Sequence, residues 1–368
     1  MALRNSQKDM QEHSAKKVEL LCHYLNAYLA VLGHDSHTEA VHCYDLFCGE
    51  GIYPNGGEGS PMTFIKSLRA FSLRNPGKKF TFHFNDQDTT KVDNVKACIA
   101  QMGEGSSALT ITSSSLPFQE VVAETRGQVA VLRKAKAFIF IDPYGYKEIR
   151  PTLLKDLLSG GKSEVLLFLP TQHMFRFSKK GTPESLAEFL EEIRQGREFP
   201  IGSTMSDYID YITDGFRLLL PDRYVGSFTI RKNLLTAFCL FFFTTHIYGA
   251  EKMLEAKWKL DNDQGKGWSF RDTGLEGGLF DQPQTNPLEK LLLAKLAEGP
   301  QTNESIYEFT IRAEFLPTHS KQILTAMQKQ GRIRVVPEAT RKGAFYLNYQ
   351  EAFGPDLSKR KPITIQLL

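Results

Sequence analysis

Two apolar runs in the middle of the chain constrain its fold more than any other feature. Ala137 to Ile141 contains no polar side chain, and Glu164 to Leu169 is apolar after its first residue. A strand without alternating polar side chains is covered on both faces, as in a parallel sheet between two layers of helices. The sequence therefore predicts an α/β fold with a doubly wound sheet.

Three earlier segments have the composition of strands that would join this sheet: His42 to Phe47, Lys79 to Asn85 and Ala108 to Thr112. Ligands of such a sheet bind beyond the carboxyl ends of its strands, so we expect the polar residues at those ends to meet in one crevice. These residues are Asp45, Asp86, Ser114, Asp142 and Thr171.

The first of these strands ends in a glycine turn. Residues Tyr44 to Gly51 place Gly49 and Gly51 two positions apart directly after the strand. Glycine allows a sharp turn and lets a ligand lie against bare backbone, and Asp45 is placed to accept hydrogen bonds from a cationic ligand. A turn without a ligand is the alternative. Because Ser60-Pro61 then opens a helix as a cap and first-turn proline, we infer a binding site for S-adenosylmethionine.

Asp86, at the end of the second strand, is the candidate for holding the ribose of that cofactor. An acid in this position accepts hydrogen bonds from ribose hydroxyls in related units. Asp88 and Asn85 are competitors, and capping of the helix over Lys91 to Met102 is a compatible role. Ser114 is the candidate for contacting the adenine edge, although a serine-rich turn explains it equally well.

The segment from Asp142 to Gly145 predicts the acceptor site. A carboxylate at the end of a strand, followed by Pro143 and the Tyr144 ring, offers an acceptor for an amino group and a flat face for a base. A structural turn would also favour Asp-Pro and Tyr-Gly. Its position after the fourth strand of a cofactor-binding unit favours the functional interpretation.

A helical insertion is expected at about residues 175–223, where apolar and aromatic residues recur with helical period. These aromatic residues fit a packed core better than a base-stacking platform. After the insertion, Tyr224 to Arg231 and Leu235 to Thr244 are typical of an antiparallel pair that would finish the sheet.

Composition limits the class of protein. A chain of 368 residues with 41% hydrophobic residues can bury a large core and form two domains. Its longest apolar run, Ala237 to Phe243, is too short to span a bilayer, and the first residues lack an apolar signal core, so we expect a cytoplasmic protein. The five cysteines lack paired metal-ligand spacing, and no metal is expected.

The C-terminal part changes pattern. Helices are predicted over Pro287 to Ala297, Thr302 to Phe309 and Pro317 to Gln330, followed by two strands, Ile333 to Val336 and Ala344 to Leu347. Three helices and a β-hairpin make a winged helix. The predicted division is a first domain over 1–260, a linker over 261–287, a winged helix over 288–350 and a tail over 351–368.

The charge of this module supports binding of nucleic acid. Residues 288–368 contain 12 Lys and Arg against 8 Asp and Glu, whereas the whole chain carries a net charge of +3. Cations on the third helix and hairpin of a winged helix contact phosphates. The candidates are Lys321, Lys329, Arg332, Arg334, Arg341 and Lys342. Docking of a protein is the alternative use of such a module.

About 260 N-terminal residues resemble the three-Cys-motif partner proteins, a bacterial and phage group. The segments that carry the resemblance are the leading helix with His13 and Lys16, the turn from Asp45 to Gly51, Ser60-Pro61, Ile141 to Gly145, Leu167 to Pro170 and the helix from Met253 to Lys259. The resemblance implies a Rossmann-like class I methyltransferase sheet. It also implies a partner with three cysteines that looks like a radical S-adenosylmethionine enzyme.

The sequence thus predicts a methyltransferase that uses S-adenosylmethionine and acts on nucleic acid or a nucleobase-like acceptor. The alternatives are a catalytically silent nucleic-acid-binding or regulatory subunit of the three-cysteine protein and a small-molecule methyltransferase. DNA and RNA are not distinguished. The catalytic candidates are Asp142, Pro143 and Tyr144, and the cofactor-binding candidates are Asp45, Phe47, Gly49, Gly51, Asp86 and Ser114.

Overall fold

The computed structural model describes residues 9–103, 105–179, 181–198, 204–233, 235–270, 286–337 and 343–368. These residues form two compact units. The first unit comprises residues 9–246 and 267–270, and the second comprises residues 247–266, 286–337 and 343–368. No helix within these ranges is both long and apolar enough to cross a membrane.

An eight-stranded sheet is the framework of the first unit. Its strands are β1 (Ala40–Asp45), β2 (Lys79–Asn85), β3 (Leu109–Ser114), β4 (Ala135–Ile141), β5 (Ser163–Leu169), β6 (Tyr224–Asn233), β7 (Thr236–Thr244) and β8 (Gly267–Ser269). They lie in the order β3-β2-β1-β4-β5-β7-β6-β8. The first five strands in this order are parallel, and β7 is antiparallel to both β5 and β6. The predicted Rossmann-like class I methyltransferase sheet is confirmed.

Helices cover both faces of this sheet. They are α1 (Glu12–His34), α2 (Ser60–Arg74), α3 (Thr89–Gln101), α4 (Phe118–Ala130), α5 (Leu153–Leu158), α6 (Thr171–Lys179), α7 (Glu184–Arg194) and α8 (Met205–Leu219). On one face, Phe64 of α2 stacks on Phe82, and Tyr24 of α1 packs on Phe138. On the other, Phe216 of α8 contacts Phe243. The apolar strands are therefore buried on both sides, as their composition requires.

The insertion contributes to this core. Tyr208 and Phe216 of α8 are fully buried, and so is Phe189 of α7. Helix α8 begins with a capping box, in which Thr204 and Asp207 exchange hydrogen bonds. The aromatic residues of α7 and α8 therefore pack inside the protein and do not form a surface for stacking bases, whereas Phe177 of α6 is exposed.

The second unit has the element order of a winged helix with an added N-terminal helix. Its elements are α9 (Ile247–Leu260), α10 (Asn286–Ala297), β9 (Gln301–Thr302), α11 (Asn303–Arg312), α12 (Pro317–Lys329), β10 (Ile333–Val336), α13 (Tyr349–Ala352) and β11 (Thr364–Leu367). Strands β10, β11 and β9 form an antiparallel sheet. Trp258 of α9 packs on Phe315 and His319, and Lys257 pairs with Glu314 at 2.9 Å.

The predicted second strand of the hairpin, Ala344 to Leu347, is wrong. Strand β10 pairs instead with β11, with Ile333 opposite Leu367. Phe345 and Leu347 are buried as the alternating pattern suggests, but Tyr346 has a φ of +51°, which breaks an extended conformation. The strand that pairs with β10 therefore lies farther along the chain than predicted.

The division of the chain also differs from the prediction. Helix α9, expected in the first domain, belongs to the second unit because its apolar side packs there. Residues 351–368, expected as a tail, contain β11, which lies at the centre of the small sheet. In the first unit, β8 pairs with β6 and extends the sheet beyond the pair that was expected to finish it.

Candidate active site

The glycine turn after β1 has the conformation that its sequence predicts. Gly49 and Gly51 have φ values of +64° and +78°, in the left-handed region that favours glycine. A Cβ atom at Gly51 would lie 2.9 Å from the Val95 side chain, so this glycine allows α3 to pack closely. A Cβ at Gly49 would meet no described atom within 4 Å. The turn therefore leaves open space beside Gly49.

Asp45 is the last residue of β1, and it is fully buried. No described residue makes a hydrogen bond of normal geometry to either of its carboxyl oxygens. Burial raises the pKa of Asp45 to about 7, and the nearby Asp142 also raises it. The Ser60 side chain and the Phe47 amide lie close to the carboxyl group and lower its pKa in part. A buried carboxylate without a partner is costly, so Asp45 is poised to accept hydrogen bonds from a ligand.

Ser60 differs from its predicted role. It is the first residue of α2, and the N-cap position is held by Gly59, which has no side chain to cap with. The Ser60 side chain is buried near Asp45. The serine thus belongs to the candidate site instead of capping the helix.

Asp86 follows β2 and is almost fully buried. Its Oδ2 atom accepts hydrogen bonds from the Gly49 amide at 3.2 Å and the Tyr144 hydroxyl at 3.4 Å. The competitors have structural roles: Asp88 caps α3 by accepting from Thr90, and Asn85 accepts from Ser114 and the Leu116 amide. Of the three, Asp86 is therefore the residue that faces the glycine turn.

Asp142 follows β4 directly, and the next residue, Pro143, is buried. The Lys17 ammonium pairs with the Asp142 carboxylate. Tyr144 has an exposed ring, yet partial desolvation of its hydroxyl, with Asp86 and Asp142 nearby, raises its pKa well above the ordinary value. The hydroxyl is therefore protonated and able to donate a hydrogen bond.

The sequence interpretation missed three side chains of this site. Lys91 is buried, donates a hydrogen bond to the Tyr144 hydroxyl, and lies 3.8 Å from Asp86 Oδ2. Lys17 reaches Asp142 from α1. Burial, together with Asp142, Glu50 and Asp45, raises the pKa of Tyr53 to about 12, which places this tyrosine beside the same acids.

Lys91 alone had a signal in the sequence. It lies in the first turn of α3, where the helix dipole disfavours a cation. A carboxylate partner nearby would offset that unfavourable interaction. Lys17 and Tyr53 lie in a helix and a loop without such a signal.

The side chains of two other candidates, Ser114 and Phe47, contact residues other than these carboxylates. Ser114 bonds to Asn85 at 2.7 Å and to His83 at 3.0 Å. The Phe47 ring stacks on Phe118 at 5.0 Å, so its side chain packs against α4. Thr171, also expected in the crevice, is buried at the start of α6.

The group of acids fits the class of cofactor that was inferred. The buried Asp45 carboxylate, the open space at Gly49 and the Asp86 carboxylate all lie around the carboxyl end of β1. A carboxylate has about four acceptor positions, so Asp86 can accept a ribose hydroxyl in addition to its present donors. The residues therefore suit a nucleoside that also carries a cationic group.

The second unit exposes several of its predicted nucleic-acid-binding residues. Lys321 and Lys329 are exposed on α12, and neither forms an ion pair with a described residue. Arg334 donates to Gln366 at 3.0 Å, and Arg332 lies 3.5 Å from Glu289. Arg341 and Lys342 lie outside the described residues.

Comparison with known proteins supports the winged helix of the second unit. The family described as the GMT-like wHTH domain matches residues 266–340, less than half of the chain. No curated protein sequence matches the chain.

Three solved structures match the chain at low identity and low TM-score. A Legionella pneumophila protein of family DUF519 is 12% identical with a TM-score of 0.40, over 64% of this chain and 85% of that one. A candidate class I S-adenosylmethionine-dependent methyltransferase from Listeria monocytogenes is 9% identical with a TM-score of 0.31, over 67% and 63%. Loganic acid methyltransferase with SAH is 9% identical with a TM-score of 0.26, over 65% and 98%. The fold assignment therefore rests on the strand order, and the resemblance to three-Cys-motif partner proteins stays a prediction.

Proposed function

We propose that this protein is an S-adenosylmethionine-dependent methyltransferase that acts on nucleic acid or a nucleobase-like acceptor. The observation that carries the proposal is Asp45, whose buried carboxylate makes no hydrogen bond of normal geometry with a described residue. It lies at the end of β1 in a class I methyltransferase sheet, with Asp86 and Asp142 close by. Such a carboxylate is retained at a cost in stability, which a bound ligand would offset.

Each acid has a distinct role in this proposal. Asp45 and the backbone of Gly49 and Gly51 would hold the methionine end of the cofactor, and Asp86 would hold the ribose. Bound S-adenosylmethionine supplies a methyl group that is activated by its sulfonium. Asp142 would accept a hydrogen bond from the acceptor nitrogen and take the proton that this nitrogen loses. Methyl transfer needs little more than aligned reactants, so positioning by these residues is sufficient.

The winged helix supports nucleic acid as the class of substrate. Its exposed Lys321, Lys329 and Arg334 lie on the helix and strand that contact phosphates in winged helices. A small-molecule substrate would offer these exposed cations no phosphate backbone to contact.

Transfer of a labelled methyl group tests the proposal. The protein would be incubated with radiolabelled S-adenosylmethionine and single-stranded DNA, duplex DNA or RNA. We expect transfer to at least one acceptor, reduced about a hundredfold by Asp142→Ala. Asp156→Asn is a suitable control, because Asp156 lies on the surface of α5 paired with Arg126. Equal transfer by wild type and Asp142→Ala would contradict the assigned role of Asp142.

One observation favours a second candidate function. Lys17 and Lys91 already lie against Asp142 and Asp86, which suits a subunit whose acids serve its own structure. Such a subunit would bind nucleic acid and regulate a three-cysteine partner, as the family resemblance implies. Cofactor binding without transfer to any acceptor, with and without that partner, would favour this candidate.

A further inference from the structure

Lys17 occupies an unusual position at the carboxyl edge of the sheet. Its ammonium pairs with Asp142, and the same nitrogen lies 4.5 Å from the centroid of the Phe168 ring. The side chains of Lys17 and Asp142 are only 12% and 19% exposed. A nitrogen with N–H donors therefore lies between a carboxylate and an aromatic face.

The Phe168 ring is fixed in place. It is the residue before the end of β5, next to the strand that leads into Asp142. It stacks on Phe238 at 5.0 Å, and Phe238 in turn stacks on His13 at 5.2 Å. Burial and the nearby Lys232 and Lys17 lower the pKa of His13 to about 4, so this third ring is neutral at physiological pH. The ring that Lys17 covers is thus part of a rigid, uncharged stack.

Lys17 itself is also well anchored through its helix. Tyr24, two turns further along α1, donates a hydrogen bond to the buried Glu164, which also accepts from Thr244 at 2.7 Å. The helix is therefore fixed to β5 and β7, while the lysine side chain keeps its own rotatable bonds. Displacement of the ammonium requires only a change of its side-chain conformation.

A carboxylate beside an aromatic face suits one chemical class of acceptor. The exocyclic amino group of a nucleobase has N–H donors for the carboxylate, and its flat ring can stack on the aromatic side chain. We propose that Asp142 and Phe168 form the subsite for such an amino-bearing base, and that Lys17 occupies this subsite until the base displaces it. This inference rests on the proposed function and names its substrate class.

The base must come from an unpaired strand or be turned out of a duplex. In a duplex, the amino group of adenine or cytosine is already hydrogen-bonded and lies within the stack of bases. A base that has left the stack can enter a site whose walls are an acid and a ring. Bases that carry an oxygen in place of the amino group present an acceptor at that position, where the oxygen and the Asp142 carboxylate repel each other.

Removal of Lys17 should therefore have an effect opposite to that of removing a substrate-binding residue. Lys17→Met keeps an unbranched stem against Phe168 and removes the ammonium that competes for Asp142. The preference for an amino-bearing base over its oxo counterpart should then increase. The ratio of two affinities is the useful quantity, because the lost charge weakens both oligonucleotides equally.

The test measures binding of labelled single-stranded oligodeoxynucleotides by fluorescence anisotropy, without any methyl transfer. One pair differs by cytosine against uracil, and another by adenine against hypoxanthine. We expect the amino-to-oxo affinity ratio to rise about tenfold in Lys17→Met and to return to the wild-type value in Lys17→Met/Asp142→Asn. Lys16→Met is the matched control, since Lys16 pairs with Glu19 on the same helix, and its ratio should equal that of wild type.

Three outcomes decide the inference. A higher ratio that depends on Asp142 supports it. An unchanged or lower ratio in Lys17→Met, with a circular dichroism spectrum like that of wild type, overturns it. If Lys17→Met does not fold, Asp142→Asn and Phe168→Leu are compared with wild type, and an equal ratio in all three also overturns it. Failure of the proposed function appears separately, as absence of S-adenosylmethionine binding in calorimetry.

Discussion

The charged residues of the two units differ in their surroundings. In the first unit, Asp45 and Lys91 are buried at the edge of a sheet, whereas Lys321 and Arg334 of the second unit are exposed. Buried charges interact strongly at short range, and salt hardly screens them. Exposed charges interact weakly with single partners but attract a polyanion together.

This difference in the burial of charged residues indicates that the two units recognise ligands in different ways. The first has the arrangement that shifts pKa values and selects a ligand by individual contacts, and the second has the arrangement that holds a phosphate backbone. Changes in the first unit should therefore have large, local and pH-dependent effects. Changes in the second should be small and depend on salt.

The largest expected effect is on the stability of the first unit. Phe138 is fully buried in β4 and contacts Tyr24, Tyr28 and Phe64. Phe138→Ala should reduce the free energy of unfolding by about 3–5 kcal/mol, because it leaves a cavity in a closely packed core. Lys329→Ala on the exposed face of α12 should change it by no more than about 0.5 kcal/mol. Denaturant titration of both variants measures these free energies of unfolding. Equal changes in the two variants would contradict the difference between the buried core of the first unit and the exposed face of the second.

A pH-dependent effect is expected at Asp45. Burial raises its pKa from 3.8 to about 7, so the folded protein binds a proton that the unfolded chain has already released in this range. Stability should fall as pH rises from about 4 to about 7, by roughly 4 kcal/mol at most from this group. The free energy of unfolding of Asp45→Asn, relative to that of wild type, should therefore increase as pH rises from 5 to 8.

Thermal unfolding across that pH range measures this difference. Asp93→Asn is the control, because Asp93 is exposed on α3 beside Lys96 and should show a difference that is the same at each pH. A constant difference for Asp45→Asn as well would mean that the Asp45 carboxylate is solvated, contrary to the structure.

The smallest expected effect concerns the exposed cations of the second unit. Lys321→Ala and Arg334→Ala should each reduce the slope of log affinity against log salt for DNA by about 0.9, because each cation releases counterions from one phosphate. Lys295→Ala on α10 should leave the slope unchanged, since Lys295 pairs with Glu298. Titrations of DNA at several salt concentrations measure these slopes. A slope equal to that of wild type in all three variants would exclude nucleic acid as the ligand of this unit.

The parts of the fold that local pattern determines could be predicted from the sequence. The bounds of β2 agree with the prediction, and the glycine conformations after β1 follow from the residues themselves. Pairing between distant segments could not be predicted in this way. Strand β11 lies far along the chain from β10, while Ala344 to Leu347 offered a nearer strand-like pattern.

The candidate site shows the same limit. The acids at the strand ends were found because parallel topology places those ends together. Lys17 and Tyr53 reach them from a distant helix and a loop, and only packing determines that approach. Ser114 was placed on the correct strand end, but its hydroxyl is held by Asn85 and His83.

Calorimetric titration with S-adenosylmethionine tests most directly whether Asp45 belongs to a cofactor site. Wild type should bind, and Asp45→Ala should bind about tenfold to a hundredfold more weakly, because it removes a charged acceptor of hydrogen bonds. Asp156→Asn should bind like wild type. Equal affinity in wild type and Asp45→Ala would show that the buried carboxylate does not hold the cofactor, and it would contradict a cofactor site at the carboxyl end of β1.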